Sequence, residues 1–144
     1  MTTILIVDDS SENIELLMAV LNNIDYKFLT ATTGKSAIEI VLSQKPDLIL
    51  LDVVMPDMNG YEVCTILKAN LTTKRIPIIF ITAKDDEDDE SKGFEVGAVD
   101  YITKPFRPTI IQARVKTHLK LKFAYEELER LWKKRPISRL QSLD

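Results

Sequence analysis

The sequence predicts an α/β fold of the doubly wound class, in which a parallel β-sheet lies between two layers of helices. Three apolar runs without polar alternation predict strands buried on both faces, and they begin at Ile4, Leu48 and Ile78. A segment predicted to be helical follows each run. Since strands that alternate with helices form parallel sheets with right-handed crossovers, we expect these units to share one sheet.

The first unit is a strand that ends on acids, followed by an amphipathic helix. Thr2 to Asp8 contains the first apolar run, and Asp9 follows it directly. Ser10 and Ser11 can cap a helix. Apolar residues at positions i, i+3, i+4 and i+7 predict that helix: Ile14, Leu17, Met18 and Leu21.

The second unit is predicted to lie at an edge of the sheet. Tyr26 to Ala31 alternates between polar and apolar residues more than the other runs do, which suits an edge strand. Gly34 precedes a predicted helix over 36–42. The Lys45-Pro46 pair ends that helix, because the residue before a proline disfavours helical geometry.

The third unit contains the central strand. Leu48 to Leu51 is apolar throughout and stops at Asp52. Pro56 and the Asn59-Gly60 pair supply the loop that follows. A helix over 61–69 comes next, and its predicted inward residues are Val63, Ile66 and Leu67.

The last two units complete a five-stranded sheet. The strand from Ile78 ends on Thr82-Ala83, and the six acids at 85–90 are predicted to form a loop and the first turn of a helix that Gly97 ends. A brief strand over 100–103 leads through Lys104-Pro105 into a long helix from about Pro108. With the weaker strands at the edges, the order is 2-1-3-4-5, the flavodoxin-like order, whose switch point lies between strands one and three.

Composition and charge limit the classes of function. The 144 residues, 45% of them hydrophobic, suffice for one domain. Residues 1–106 hold 9 Lys and Arg against 18 Asp and Glu, a net charge of −9, whereas 107–144 hold 10 against 4, a net charge of +6. The acidic body argues against direct binding of nucleic acid, and the basic tail is interpreted as a solvated helix face. Without a leader or a membrane-spanning run, we expect a cytoplasmic protein with no membrane partner.

Two single residues have structural interpretations. Cys64 cannot form an internal disulfide, and its apolar helical surroundings predict a packing role. His118 is the only histidine. We expect it on the outward, solvated side of the last helix rather than as a phosphohistidine.

Five side chains are predicted to meet at the carboxyl ends of the strands, where open parallel sheets bind ligands. Asp8, Asp9 and Asp52 would repel one another without a cation, and oxygen ligands alone suit Mg²⁺. Lys104 supplies a positive charge and Thr82 a hydroxyl donor. Asp52 can then act as a nucleophile towards a phosphoryl group, forming an acyl phosphate.

Four motifs in this order resemble those of the receiver domains of response regulators (CheY-like) in two-component signalling, over residues 2–122. They are Val7-Asp8-Asp9, Leu51 to Gly60, Ile81-Thr82-Ala83 and Tyr101 to Phe106. The resemblance implies that Asp52 is the phosphoacceptor, with Asp9 a direct Mg²⁺ ligand and Asp8 a ligand through water. It also implies that the Val54 carbonyl contacts the metal, that the Ala83 amide joins Thr82 and Lys104 on the phosphoryl oxygens, and that the Lys104-Pro105 bond is cis. Tyr101 would turn inward with Thr82 on phosphorylation and remodel the surface of helix 4, strand 5 and helix 5.

The resemblance implies a signalling module in a phosphorelay rather than an enzyme acting on separate substrates. Its phosphoryl donor would be a histidine kinase or a histidine phosphotransfer protein. Residues 1–122 would form the receiver domain, and 123–144 a helical extension or linker that Pro136 interrupts. The extension continues an apolar seam, which suits either a homodimer or a single exposed helix; its members are Leu121, Ala124, Leu128 and Leu131. The helix 4, strand 5 and helix 5 surface is the other candidate for a homodimer.

Two other functions fit parts of the pattern. A phosphatase or phosphotransferase could form the same aspartyl-phosphate intermediate on small substrates, but such enzymes commonly need a second acid near the nucleophile, and Val53 and Val54 provide none. A flavin-binding module could share the strand order. The loop after its first strand would need amides and hydroxyls for a phosphate, whereas this loop begins with Asp8 and Asp9.

Overall fold

The computed structural model describes residues 1–83 and 87–134, and within these ranges all side chains except those of 87–90. The described strands are β1 Thr2–Val7, β2 Tyr26–Ala31, β3 Leu48–Asp52, β4 Ile78–Thr82 and β5 Asp100–Thr103. The described helices are α1 Ser11–Val20, α2 Gly34–Gln44, α3 Gly60–Ala69, α4 Glu87–Glu95 and α5 Pro108–Lys134. Part of the acidic loop before α4, and Pro136 with the residues around it, lie outside these ranges.

All neighbouring strands are parallel, in the order β2-β1-β3-β4-β5. The predicted order and both predicted edge strands are confirmed. Val7 lies opposite Leu51, and Thr82 lies opposite Thr103, so the strands end at nearly the same level. This register brings the residues that follow β1, β3 and β5 to one edge of the sheet.

The side chains of the strands form two cores, one on each face of the sheet. Each apolar run is continuous because alternate residues enter opposite cores. The core that includes α2 and α3 contains Leu5, Val7, Val41, Ile49, Leu51, Val63, Leu67 and Phe80. The core that includes α1 and α5 contains Ile4, Ile6, Leu17, Leu50, Ile81, Ile111, Val115 and Leu119.

Two helix boundaries have clear local causes. α2 begins at Gly34, two residues before the predicted start, because the hydroxyl of Thr33 caps it by accepting the N–H of Ser36 at 3.1 Å. The turn after α4 ends at Gly97, whose φ of +108° is a conformation that favours glycine.

The inward face of α3 differs from the prediction at one residue. Val63 and Leu67 are buried, but Ile66 is 45% exposed, so its predicted inward position is wrong. Positions 60, 63, 64 and 67 form the i, i+3, i+4, i+7 stripe, so Cys64 faces inward and Ile66 lies beside the stripe. The packing role of Cys64 is confirmed, and burial raises the pKa of its thiol to about 11.

The outward, solvated position predicted for His118 is also wrong. Its side chain is 15% exposed, and Nε2 lies 2.9 Å from Oδ2 of Asp100 at the start of β5. His118 is three residues after the buried Val115, so it lies beside the buried stripe of α5 and above the sheet edge. Within the described residues, no helix is both long enough and apolar enough to span a membrane.

Candidate functional site

Three carboxylates converge where β1 and β3 end. Asp8 is 0% exposed and Asp52 is 4% exposed, whereas Asp9 is open to solvent. One oxygen from each of the three lies within 4.8 Å of the others. A set of carboxylate oxygens this close, with one member accessible, matches the ligands that a hard divalent cation prefers.

The first turn of α1 holds the carboxylate of Asp8. Its Oδ1 accepts the backbone N–H of Ser10 at 2.9 Å, and its Oδ2 accepts a hydrogen bond from Nδ2 of Asn13 at 3.3 Å. Ser10 in turn caps α1 by accepting the N–H of Asn13. Asn13 is not among the predicted site residues, although its position three residues after the cap places it in the turn that faces the strand end.

Lys104 faces the same carboxylates from the end of β5. Its Nζ lies 3.7 Å from Oδ2 of Asp52 and 4.0 Å from Oδ2 of Asp8. The Lys104-Pro105 peptide bond is cis, as the resemblance implied, and the N–H of Lys104 donates to the carbonyl of Thr82 at 3.0 Å. The ammonium of Lys104 therefore lies within ion-pair distance of two buried carboxylates.

The site carries more negative charge than its surroundings balance. Burial, and next to it the charge of Asp8, raise the pKa of Asp52 from 3.8 to about 6. The N–H of Val54, which donates to Oδ1 of Asp52 at 3.2 Å, and the charge of Lys104 lower that pKa only in part. A bound divalent cation would relieve this repulsion, so the electrostatics fit a metal site.

Thr82 and Ala83 follow on the neighbouring strand end. Asp52 and Ile81 are register partners, so Thr82 is the next residue along β4 beyond the level of Asp52. Thr82 is 2% exposed, and its hydroxyl donates to the carbonyl of Ala83 at 3.2 Å. This hydroxyl is available for a new acceptor if the weak bond to Ala83 is exchanged.

Tyr101 lies on the surface formed by α4, β5 and α5. Its ring meets the ring of Phe94 edge-on, with centroids 5.8 Å apart, and Cζ of Arg114 lies 5.2 Å from its centroid. Arg114 also donates to the carbonyl of Tyr101, and its Nε lies 3.8 Å from Oδ2 of Asp100. The sequence did not predict that Asp100 and Arg114 surround Tyr101, because their contacts join two elements, β5 and α5.

The structure thus brings together the four charged residues predicted at the site, Asp8, Asp9, Asp52 and Lys104. Thr82 and Ala83 lie beside them at the end of β4, and Val54 is the second residue of the loop after β3. Tyr101 lies apart from the acids, on the surface where β5 meets α5.

Comparisons with known proteins agree with this geometry. The family model described as response regulator receiver domain matches residues 4–116. A probable cyclic di-GMP phosphodiesterase of Vibrio cholerae is 48% identical over 120 residues, which are 83% of this chain and 27% of that protein. The response regulator PleD of Caulobacter vibrioides is 42% identical over 125 residues, which are 87% of this chain and 28% of that protein.

A solved structure shows the same fold. The signal receiver domain of a signal transduction histidine kinase from Syntrophus aciditrophicus superposes with a TM-score of 0.76 at 36% identity, covering 83% of this chain and 91% of that one. The chain spans little more than a quarter of the length of the two curated relatives described above. This chain belongs to the family of response regulator receiver domains.

Proposed function

We propose that Asp52 is the phosphoacceptor of this receiver domain and that Asp8, Asp9 and Asp52 hold the Mg²⁺ that supports its phosphorylation. The observation that carries the proposal is the position of Lys104 Nζ, 3.7 Å from Asp52 and within reach of Asp8. A bound Mg²⁺ together with the ammonium of Lys104 would neutralise both the carboxylates and an incoming phosphoryl group.

In the proposed reaction, a carboxylate oxygen of Asp52 attacks the phosphorus of a phosphohistidine. The new O–P bond forms as the N–P bond breaks, and the ring, which carries a proton on its other nitrogen, leaves as neutral imidazole with the electron pair of that bond. When bound, Mg²⁺ would neutralise charge on the phosphoryl oxygens. Lys104 would form an ion pair with the transferred group, and the hydroxyl of Thr82 and the amide of Ala83 would donate to it. The carbonyl of Val54 would complete the protein ligands of the metal.

The donor in this proposal is a histidine kinase or a histidine phosphotransfer protein, and the site of action is the cytoplasm. Receiver domains are signalling domains, and the relative PleD is named a response regulator. The output of the full-length protein would come from regions beyond this chain. A phosphatase acting on small substrates is not favoured, because the chain belongs to the receiver family and the two residues after Asp52 are valines.

The structural response in this proposal passes from Thr82 to Tyr101. A phosphoryl group on Asp52 offers strong acceptor oxygens, for which Thr82 would leave the carbonyl of Ala83. The space vacated beside β5 would then admit the ring of Tyr101, which would leave Phe94 and Arg114. This exchange would shift a two-state equilibrium of the α4, β5 and α5 surface.

We further propose residues 1–122 as the receiver domain and 123–144 as a helical extension or linker that pairs with a second copy of the chain. The seam of α5 stays open to solvent, with Leu121 60%, Leu128 66% and Leu131 48% exposed. Ala124 completes its spacing of three, four and three residues, which is the spacing of a helix that packs on another helix. The seam continues from the surface that carries Arg114, so a dimer through that surface would bring the two extensions together.

The test of the phosphoacceptor is the intact mass of the protein after incubation with Mg²⁺ and acetyl phosphate. We expect wild type to gain one phosphoryl group and Asp52→Asn to gain none. Asp25→Asn, an exposed acid in the loop before β2, is the matched control and should behave like wild type. No gain in wild type with several acyl-phosphate donors, or an unchanged gain in Asp52→Asn, would overturn the proposal.

A further inference from the structure

The loop between β3 and α3, residues 53–59, carries the proposed metal ligand Val54, whose side chain does little to anchor it. Its side chain is 72% exposed, whereas its neighbours Val53 and Met55 are 5% and 8% exposed. The direction of the Val54 carbonyl is therefore set by the anchors on either side of it. The closing anchor is a hydrogen bond at 2.8 Å from the N–H of Gly60 to the carbonyl of Val53.

A second anchor joins this loop to a different helix. The carboxylate of Asp57 accepts the N–H of Gly34 at 2.9 Å through Oδ1 and the N–H of Lys35 at 3.0 Å through Oδ2. These are free amides of the first turn of α2, and they lower the pKa of Asp57. Asp57 thus uses both of its carboxylate oxygens on the N-terminus of α2. These two bonds determine the distance of the loop from α2 and its orientation there.

Packing beside this pair leaves little room for the loop to shift. Met58 lies so close to Gly34 that a Cβ added at Gly34 would meet Met58 Cγ at 2.3 Å. The loop ends in a capping box, in which Asn59 and Glu62 exchange side-chain and backbone hydrogen bonds. The part of the loop after Val54 is therefore held by α2 as well as by its own helix α3.

The loop also contacts the phosphoacceptor directly, because the N–H of Val54 donates to Oδ1 of Asp52 at 3.2 Å. A shift of the loop would move both this donor and the neighbouring carbonyl. We infer that Asp57 is a positioning residue of the phosphoacceptor site, which holds the loop on α2 so that the Val54 carbonyl and the Asp52 carboxylate stay aligned for Mg²⁺. This inference rests on the proposed function.

The test compares Asp57→Ala and Asp57→Asn with Glu39→Ala, an exposed acid on α2 that removes the same charge. Mg²⁺ affinity is measured by calorimetry, and the rate of phosphorylation by acetyl phosphate from intact mass, at a temperature where each variant is folded. We expect Asp57→Ala to weaken Mg²⁺ binding by roughly tenfold, within the range for residues that orient metal ligands. Asp57→Asn, which keeps one acceptor oxygen, should lie between it and wild type, and Glu39→Ala should match wild type.

A second pair of variants approaches the same contact from α2. Gly34→Ala pushes a methyl group against Met58 and leaves Asp57 unchanged, so it should also weaken Mg²⁺ binding. The double variant Gly34→Ala/Met58→Ala removes the clash with Met58, leaves the new methyl group 3.0 Å from Cγ2 of Val63, and should recover most of the affinity. These two variants test whether the contact between the loop and α2 affects Mg²⁺ binding, even if Asp57→Ala does not fold.

The outcomes separate the inference from the function on which it rests. Wild type that neither binds Mg²⁺ nor takes up a phosphoryl group overturns both. If wild type does both, and Asp57→Ala and Gly34→Ala bind Mg²⁺ like Glu39→Ala with only their melting temperatures lowered, Asp57 has a structural role and the inference alone is overturned.

Discussion

Asp47, the residue before β3, contacts both Thr3 near the start of β1 and Lys122 in the middle of α5. Its Oδ2 accepts the N–H of Thr3 at 2.8 Å, and its Oδ1 lies 2.9 Å from Nζ of Lys122. Both side chains of the ion pair are largely buried, with 24% and 14% exposed. The extension of α5 therefore leaves the domain from a point held by the sheet itself.

Arg75 holds the extension one turn further on. It stacks on the ring of Tyr125, with Cζ 4.8 Å from the centroid, and forms an ion pair with Glu129. Arg75 lies in the loop before β4, so α5 contacts the body of the domain at two places, through Asp47 and through Arg75.

Removal of the Asp47 carboxylate should destabilise the protein. Asp47→Ala leaves the N–H of Thr3 without its acceptor and leaves the ammonium of Lys122 with only Glu126, whose Oε2 lies 3.4 Å from it, so we expect a loss of about 1–3 kcal/mol in the free energy of unfolding. Urea denaturation followed by circular dichroism measures it. Asp25→Ala, which removes an exposed acid, is the control. A loss no larger than that of the control would show that the pair contributes little.

The acid cluster predicts a stability that depends on pH and on Mg²⁺. The folded protein raises the pKa of Asp52 from 3.8 to about 6, so without Mg²⁺ folding favours its protonated form. Stability from this group is present below pH 4 and is lost as the pH rises through 6. In EDTA at pH 8, Asp52→Asn should therefore be more stable than wild type by roughly 2–3 kcal/mol.

Thermal or urea unfolding between pH 5 and 8 checks this prediction. The advantage of Asp52→Asn should shrink towards pH 5, where the wild-type carboxyl is protonated, and in saturating Mg²⁺, which binds the ionised cluster of wild type. An Asp52→Asn variant that is less stable than wild type in EDTA at pH 8 would contradict the charge argument.

Lys104 should matter for phosphorylation far more than an exposed lysine. Lys104→Met removes the positive charge 3.7 Å from Asp52 and keeps a side chain of similar length, so we expect the phosphorylation rate to fall on the order of 100-fold. The rate with acetyl phosphate, from intact mass against time, is the measurement. Lys116→Met, on the exposed face of α5, controls for the general loss of charge. Equal rates in the two variants would remove Lys104 from the proposed mechanism.

The seam of α5 should control the oligomeric state. We expect the solution mass, measured by light scattering, to double when Mg²⁺ and beryllofluoride are added to wild type. Leu121→Gln/Leu128→Gln makes the exposed seam polar and should keep the protein monomeric. Lys133→Gln, on another face of the same helix, should dimerise like wild type. A wild type that stays monomeric in both conditions contradicts the proposed dimer.

Much of the fold could be predicted because its signals are local. Each buried strand is an apolar run, and the run at Leu48 stops at the acid that ends β3 in the structure. The strand order follows from which runs are continuous and which alternate. Asp8, Asp9, Asp52 and Lys104 could be placed at one edge, because each follows or ends a strand of the same parallel sheet.

The two wrong predictions, for His118 and Ile66, have different causes. His118 is polar and looked solvated, but Asp100, eighteen residues away, makes a half-buried position favourable. Ile66 is more hydrophobic than Cys64, yet helical geometry places Cys64 on the inward stripe. The position of His118 cannot be read from one segment, because it depends on the contact with Asp100, whereas the stripe of α3 is a local pattern that the hydrophobicity of Ile66 obscured.

The sequence by itself determined the order and type of the elements, the parallel sheet, and the identity of the acids and the lysine at its carboxyl edge, because periodicity and strand ends are encoded locally. Only the tertiary structure decided how these groups act on one another: that burial beside Asp8 raises the pKa of Asp52, that Asp57 holds the loop on α2, and that Asp47 and Arg75 contact α5. Distance, burial and dielectric environment exist only once the chain has packed, and they set the strength of every charge interaction at this site.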